Sequence, residues 1–462
     1  MLTQEDLAAR TGLTDRTIRR IETDQLRRPR LKTLRSLAYH LGLSDSETAL
    51  LLASGGCHDS LDPEPSVAAP VSPRDDLPGD VCDFTGRNAL TAQVMDVLLN
   101  ADSLIDRAHP RTGAVLVGLS GPAGVGKTAL AVHIGHLVDD QYPDGRLYLD
   151  MHGLDDRPLT FHDAVQRMLR WRLGPDAAVP ETFDECAALL RVALSGRRTL
   201  IILDNLRSEA QVRPILPTAC GNAALLISRS RLAALDNLRR FDLDVLASDE
   251  ALDMLSAIVG PARVLEDRSA AETVIQLCGS LPLALRIVGA RLAAYPHWTL
   301  RRMARQLTDE DRRLDALAIG DRAVRLSIKL SYRTLGPAQR MLFRLLGALT
   351  ETDVPAWVAA ALLDCADAEA ETVAEALVEA RLLDAHRVPG DDSPRYGMHG
   401  LVRLYARELC LAADTEQDRA AAAQRMVGSW LRRAERGEPG LPGGVLRLGA
   451  LPSEEVAVVD PS

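Results

Sequence analysis

Gly121-Pro122-Ala123-Gly124-Val125-Gly126-Lys127-Thr128 reads G-x-x-x-x-G-K-T, the spacing of a phosphate-binding loop. The apolar run Ala114–Leu119 ahead of it is long enough for one buried strand, and Ala129–Val138 after it reads as a helix. Strand, glycine turn and helix together are the context that the motif needs. Gly121, Gly124 and Gly126 let the backbone wrap an anion without Cβ clashes, so that successive amides, including those of Val125 and Ala129, turn inward. The helix start adds its positive end. Lys127 brings a mobile charge to the β- and γ-phosphates, and the Thr128 hydroxyl is a candidate Mg²⁺ ligand. A chance match is a poor alternative, because the chain has only three lysines, Lys32, Lys127 and Lys329.

At 462 residues the chain is too long for one core and implies several domains. Apolar residues make up 47% and aromatic ones only 3%. Cores must then be built from Leu, Ala and Val, which favours helices. Seven cysteines without a C-x-x-C pair give neither a disulfide framework nor a zinc site. No signal peptide or membrane-length apolar run is read, so the expectation is a soluble, cytoplasmic protein without a membrane partner. The net charge of −10 argues against a chain coated in nucleic acid, but not against one basic module.

That module is residues 1–53. Thr3 can cap a helix over Gln4–Arg10, Thr11-Gly12-Leu13 makes a turn, and Thr14 can cap a second helix over Asp15–Glu22. A third, about Leu31–Leu41, has leucines on one face. The tight turn between the first two has helix-turn-helix spacing. From Arg16 to Arg35 there are eight basic and two acidic residues. Thr14, Arg16, Thr17, Arg19 and Arg20 lie at the exposed start of the second helix, placed to reach base edges and phosphates, and Arg27 and Arg28 suit backbone contacts. Residues 54–80, with prolines from Pro63 to Pro78, read as a flexible tether.

A nucleotide domain is expected over 81–248. Thr199–Asn205 is a buried strand ending in Asp204, placed to hold Mg²⁺ beside the phosphate loop. Asn205 follows, where a strong ATPase often has a second carboxylate. An amide takes no proton, so hydrolysis should be slow. Ala223–Ile227 is another strand, with Ser228-Arg229 at its end, where an arginine can report a γ-phosphate. Alternating strands and helices over 110–245 imply a parallel, doubly wound sheet.

Two resemblances sharpen these expectations. QEDLAARTGLTDRTIRRIE…RPRLKTLRSLAYHLGL resembles lambda-repressor/Cro-type helix-turn-helix domains, with Met1 where that family's first helix should end. In the larger part, Phe84-Thr85-Gly86-Arg87, the phosphate loop, Leu203-Asp204-Asn205, Ser228-Arg229, Gly279–Leu285 and Met398-His399-Gly400-Leu401 resemble the ordered motifs of NB-ARC domains of the STAND class. The resemblance implies that Phe84, Gly86 and Arg87 lie on the adenine side, that Pro282 packs on adenine, and that His399 touches the β-phosphate of ADP. Ile227, Ser280 and Gly400 depart from the family spelling, and the loss of a carboxylate at Gly400 implies a looser ADP state.

The expected architecture is therefore multidomain: an all-α helix-turn-helix, an α/β P-loop domain, a helical bundle over 249–320, a winged helix over 321–410, and a C-terminal helix and tail over 411–462. The expected function is an ATP/ADP-switched, DNA-binding transcription regulator that self-associates in the ATP state, with Mg²⁺ as cofactor and Lys127, Asp204 and Arg229 acting in slow hydrolysis. A signalling scaffold whose first module binds protein, and a DNA-remodelling motor, are the alternatives.

Overall fold

The computed structural model describes residues 74–99, 113–153, 158–320, 322–349, 351, 353–387 and 393–436. The helix-turn-helix expected over 1–53, with Thr14, Arg16, Thr17, Arg19, Arg20, Arg27 and Arg28, lies outside them, as does the tail after 436.

The first half is an α/β layer. It comprises β1 (Arg74–Asp76), α1 (Asn88–Leu99), β2 (Val115–Ser120), α2 (Lys127–Leu137), β3 (Gly145–Asp150), α3 (Phe161–Leu173), α4 (Phe183–Leu194), β4 (Leu200–Leu206), α5 (Glu209–Val212), β5 (Ala223–Ser228) and β6 (Leu238–Asp242). The sheet is parallel throughout, in the order β1-β3-β4-β5-β2-β6.

Strand alternation explains why the central strands read as unbroken apolar runs. On β4, Leu200 and Ile202 enter the core that also holds Leu130 and Ile134 of α2. Ile201 and Leu203 enter the opposite core, with Met168 of α3 and Leu190 of α4. A sheet buried on both faces has no polar side to show. The edges differ. In β6 only Leu238 is buried and Arg239, Arg240 and Asp242 are not, so its sequence carries no apolar signal. Strand β1 falls within the stretch 54–80 read as a tether. Of that stretch 74–80 are described, and Arg74–Asp76 pair with Gly145–Leu147.

A helical layer follows: α6 (Ser248–Val259), α7 (Pro261–Glu266), α8 (Arg268–Leu277), α9 (Pro282–Ala294), α10 (Leu300–Thr308) and α11 (Glu310–Ala316). Pro282 stands at the first turn of α9, where its missing N–H costs nothing. After a two-strand hairpin, β7 (Ala318–Ile319) and β8 (Arg322–Ala323), come α12 (Val324–Arg333), α13 (Pro337–Gly347), β9 (Asp353–Pro355), α14 (Ala356–Leu363), α15 (Asp367–Glu379), β10 (Asp384–His386), β11 (Arg395–Gly397), α16 (Gly400–Ala413) and α17 (Glu416–Glu435).

Strands β10 and β11 pair antiparallel, and β9 joins them as a third antiparallel strand. The alanine-rich helix expected from 411 begins later. Asp414 is extended, and Thr415 caps α17 by accepting from the Asp418 amide at 3.2 Å, while the Asp418 carboxylate accepts from the Thr415 amide at 3.2 Å. That reciprocal cap divides α16 from α17.

Candidate nucleotide site

The phosphate loop leaves the C-terminal end of β2, the end at which open parallel sheets bind ligands. Two of its glycines have no substitute. A Cβ on Gly121 would overlap the Leu243 carbonyl oxygen. Gly126 caps α2 at φ 95°, a conformation that disfavours side chains. Lys127 Nζ donates to the carbonyls of Gly121 and Pro122, both at 2.8 Å. Burial, and then the neighbouring charge of Arg229, lower its pKa to about 7 against the pull of Asp204, with Arg381 and Arg87 adding to the fall. An ammonium among so many cations and one carboxylate lacks an anion.

Sheet order brings the second half of the site into range. Strand β5 lies between β2 and β4, so the ends of all three strands face one opening. Asp204 at the end of β4 is buried. Its Oδ2 accepts from Thr128 Oγ1 at 2.6 Å and from the Tyr148 hydroxyl at 2.8 Å, and its Oδ1 accepts from the Asn205 amide at 2.7 Å. Burial and the Asp204 charge push the Tyr148 phenol well above its ordinary pKa, so it remains a donor.

Arg229, the residue after β5, reaches into the C-terminal half. Its Nη1 donates to the Ser327 carbonyl at 2.8 Å and to the Ser331 hydroxyl, both on α12. Burial lowers its pKa to about 10 although Asp204 opposes the fall. Ser331 is itself buried, so the arginine ties the cavity wall to a helix that lies about 100 residues further along the chain.

The opposite wall comes from the segment that leads into α1 and from α2 and α9. The Phe84 ring stacks on His133, with centroids 4.2 Å apart. At Gly86 the backbone is left-handed, which brings the Arg87 amide to Glu250 Oε1 at 2.5 Å. The Arg87 guanidinium donates to the carbonyls of Val125 at 2.9 Å and Asp244 at 2.6 Å, and burial lowers its pKa. Arg286 forms a two-pronged pair with Asp83, both contacts at 3.0 Å. The Leu283 amide donates to the Gly124 carbonyl at 3.1 Å, joining α9 to the phosphate loop.

These elements enclose one cavity of about 530 Å³, within the range of about 300–1,000 Å³ for small-molecule sites. Its wall includes Phe84, Arg87, Gly124, Val125, Gly126, Lys127, Thr128, Ala129, Asp204, Arg229 and Pro282. Gly86 and Gly121 do not line it. His399 is placed elsewhere. Its Nε2 lies 2.9 Å from the Gly279 carbonyl oxygen, and its Nδ1 accepts from the Leu401 amide at 3.3 Å, capping α16. It lines a smaller neighbouring cavity with Pro122, Ala123 and Arg381. Ala123 borders both cavities. Gly400 opens α16 with free space where a Cβ would stand.

The donors fit Mg²⁺. Thr128 and Asp204 offer oxygen, and among the described residues no group of three His, Cys, Asp or Glu side chains could cage a metal alone. Two protein oxygens supplemented by phosphate and water are what Mg²⁺ prefers. The reading of the sequence missed Tyr148, Arg286 and Arg381. A tyrosine inside a strand and two arginines in an arginine-rich chain carry no local signal, since each acts through a partner far away in sequence.

Residues 98–265, which hold most of the sheet and the phosphate loop, match the NB-ARC domain family, and residues 1–47 match the helix-turn-helix family. The chain is similar to the regulatory protein AfsR of Streptomyces coelicolor, 44% identical over 364 residues, covering 78% of this chain and 36% of AfsR. It is also similar to AfsR of Streptomyces griseus, 42% identical over 360 residues, with the same coverage of 78% and 36%. The chain thus spans about a third of the length of these relatives. Among solved structures, the Aeropyrum pernix ORC2 protein shares 14% identity at a TM-score of 0.44, covering 77% of this chain and 96% of that one, a likeness too slight to argue from. No described helix is long and apolar enough to cross a membrane.

Proposed function

We propose that the chain is a transcription regulator switched by ATP and ADP, binding DNA through residues 1–53. The observation that carries the switch is the double engagement of Arg229, which lines the cavity and at the same time holds Ser327 and Ser331 of α12. A terminal phosphate beside Lys127 would compete with α12 for that guanidinium. ADP, one phosphate shorter, would leave the α12 contacts in place.

Thr128 and Asp204 would hold Mg²⁺, which when bound offsets phosphate charge. Lys127 binds the same phosphates from the loop side, and the walls formed by Phe84 and Pro282 take the base. His399, one P-loop residue away from the cavity, would secure the closed, ADP-bound form. Loss of the Arg229 contacts would free the C-terminal half and allow self-association, so that several DNA-binding modules act at once and gain affinity through multivalency.

The test compares binding of DNA fragments by the full chain with ADP and with a non-hydrolysable ATP analogue. ATP-state DNA affinity should exceed ADP-state affinity about tenfold, and Lys127→Ala should remove the difference. The DNA term should fall steeply with salt, and Arg16→Ala, Arg19→Ala and Arg20→Ala should reduce that slope. Equal DNA affinity with either nucleotide would overturn the reading.

A further inference from the structure

Asn205 follows the strand-end carboxylate at a position where an amide cannot take a proton. Its surroundings nevertheless fix it in one place. The β4–β5 register shifts between Leu203 and Leu206, and irregularities of this kind beside a site re-aim side chains. Asn205 is left-handed, at φ 54°, a conformation that has a cost for any residue but glycine. Its carbonyl accepts from the Gly153 amide at 2.9 Å, and a Cβ on Gly153 would overlap that carbonyl oxygen. Its Nδ2 donates to Asp150 Oδ1 at 3.0 Å, an oxygen that also accepts from the His152 amide at 2.8 Å. Asp150 is the register partner of Asp204 on the adjacent strand.

A carboxylate only accepts hydrogen bonds. Asp150 therefore fixes the amide with its NH₂ group towards β3 and leaves Oδ1 as the acceptor. Asn205 lines the cavity with Thr128, Asp204 and Arg229.

We propose that Asn205 orients the attacking water in hydrolysis of the terminal phosphate, and that Asp150 is its positioning residue. This deepens the nucleotide-switch reading and rests on it. The amide oxygen accepts one hydrogen of the water and aims its lone pair at the terminal phosphorus, a role that a glutamine can also fill. The water oxygen bonds to that phosphorus as the bond from phosphorus to the bridging oxygen breaks. The water's proton leaves on the released inorganic phosphate and never on the amide. Orientation without a base gives a slow, timed reset, which suits a switch.

Asn205→Ala and Asp150→Ala in the full chain provide the test, with three readouts: affinity for ADP, single-turnover ATP hydrolysis, and affinity for ADP with aluminium fluoride, which mimics the phosphoryl group in transfer. ADP affinity should stay within about twofold in both variants, which also reports that the site is folded. Hydrolysis and fluoride-complex affinity should both fall about tenfold or more, the scale on which lost orientation is felt. Unchanged hydrolysis and fluoride affinity in both variants would overturn the proposal. So would a wild-type protein that binds ATP and never hydrolyses it, with the nucleotide reading intact. A wild-type protein that binds no nucleotide overturns that reading itself.

Discussion

Arg381, in a left-handed turn after α15, donates to Ser120 Oγ at 3.0 Å, and Ser120 is the residue immediately before the phosphate loop. The same guanidinium pairs with Asp242 at the end of β6, and Ser120 also donates to Asp242. The segment after α15 is thus fastened to two strands of the parallel sheet at the point where the P-loop begins. The Arg381 side chain is only 9% exposed, so water competes little for it.

Removing that fastening should loosen the closed form. A hydrogen bond to a charged group contributes about 1.5 kcal/mol, about tenfold in an equilibrium. Arg381→Ala should therefore speed release of a fluorescent ADP analogue about tenfold in stopped flow, while the P-loop itself is untouched. A release rate equal to wild type would show that the fastening does not gate the cavity.

Arg229 should discriminate between nucleotides through competition. Ser331→Ala removes one of its α12 partners and should raise the ATP-over-ADP affinity ratio, by about threefold to tenfold in calorimetry. Arg229→Ala should instead bring that ratio close to one. The opposite signs of the two variants exclude a general loss of folding as the cause.

Lys127 sets a pH dependence with a definite sign. At a pKa of about 7 the free protein holds this side chain largely neutral at pH 8, whereas a bound phosphate favours the ammonium form. Nucleotide binding should then take up a proton at pH 8, and affinity should fall as pH rises from 7 to 9, by up to about tenfold per unit. Calorimetry in two buffers of different ionisation enthalpy measures the uptake. Lys127→Arg, always charged, should abolish both effects.

Tyr148 and Thr128 both donate to Oδ2 of Asp204. Tyr148→Phe removes one oxygen from a residue that is not in the cavity wall. ADP affinity without Mg²⁺ should be unchanged, and the Mg²⁺-dependent gain should shrink about threefold to tenfold. Mn²⁺ binding followed by paramagnetic resonance reads the same loss directly.

The sequence alone determined the phosphate loop, the strand-end Asp204 and the central strands, because these depend on local chemistry. Glycines must stand where backbone turns on an anion, and a strand buried on both faces must be apolar along its length. Edge strands β1 and β6 were not legible, since an edge needs little apolar surface. The tertiary structure alone decided the electrostatics: which arginines among many reach the cavity, that Arg229 is shared with α12, that Arg381 reaches Ser120, and that Asp150 sits across from Asp204. These contacts join residues tens to hundreds of positions apart. A charged side chain acquires its role only when folding removes the water around it and supplies the partner.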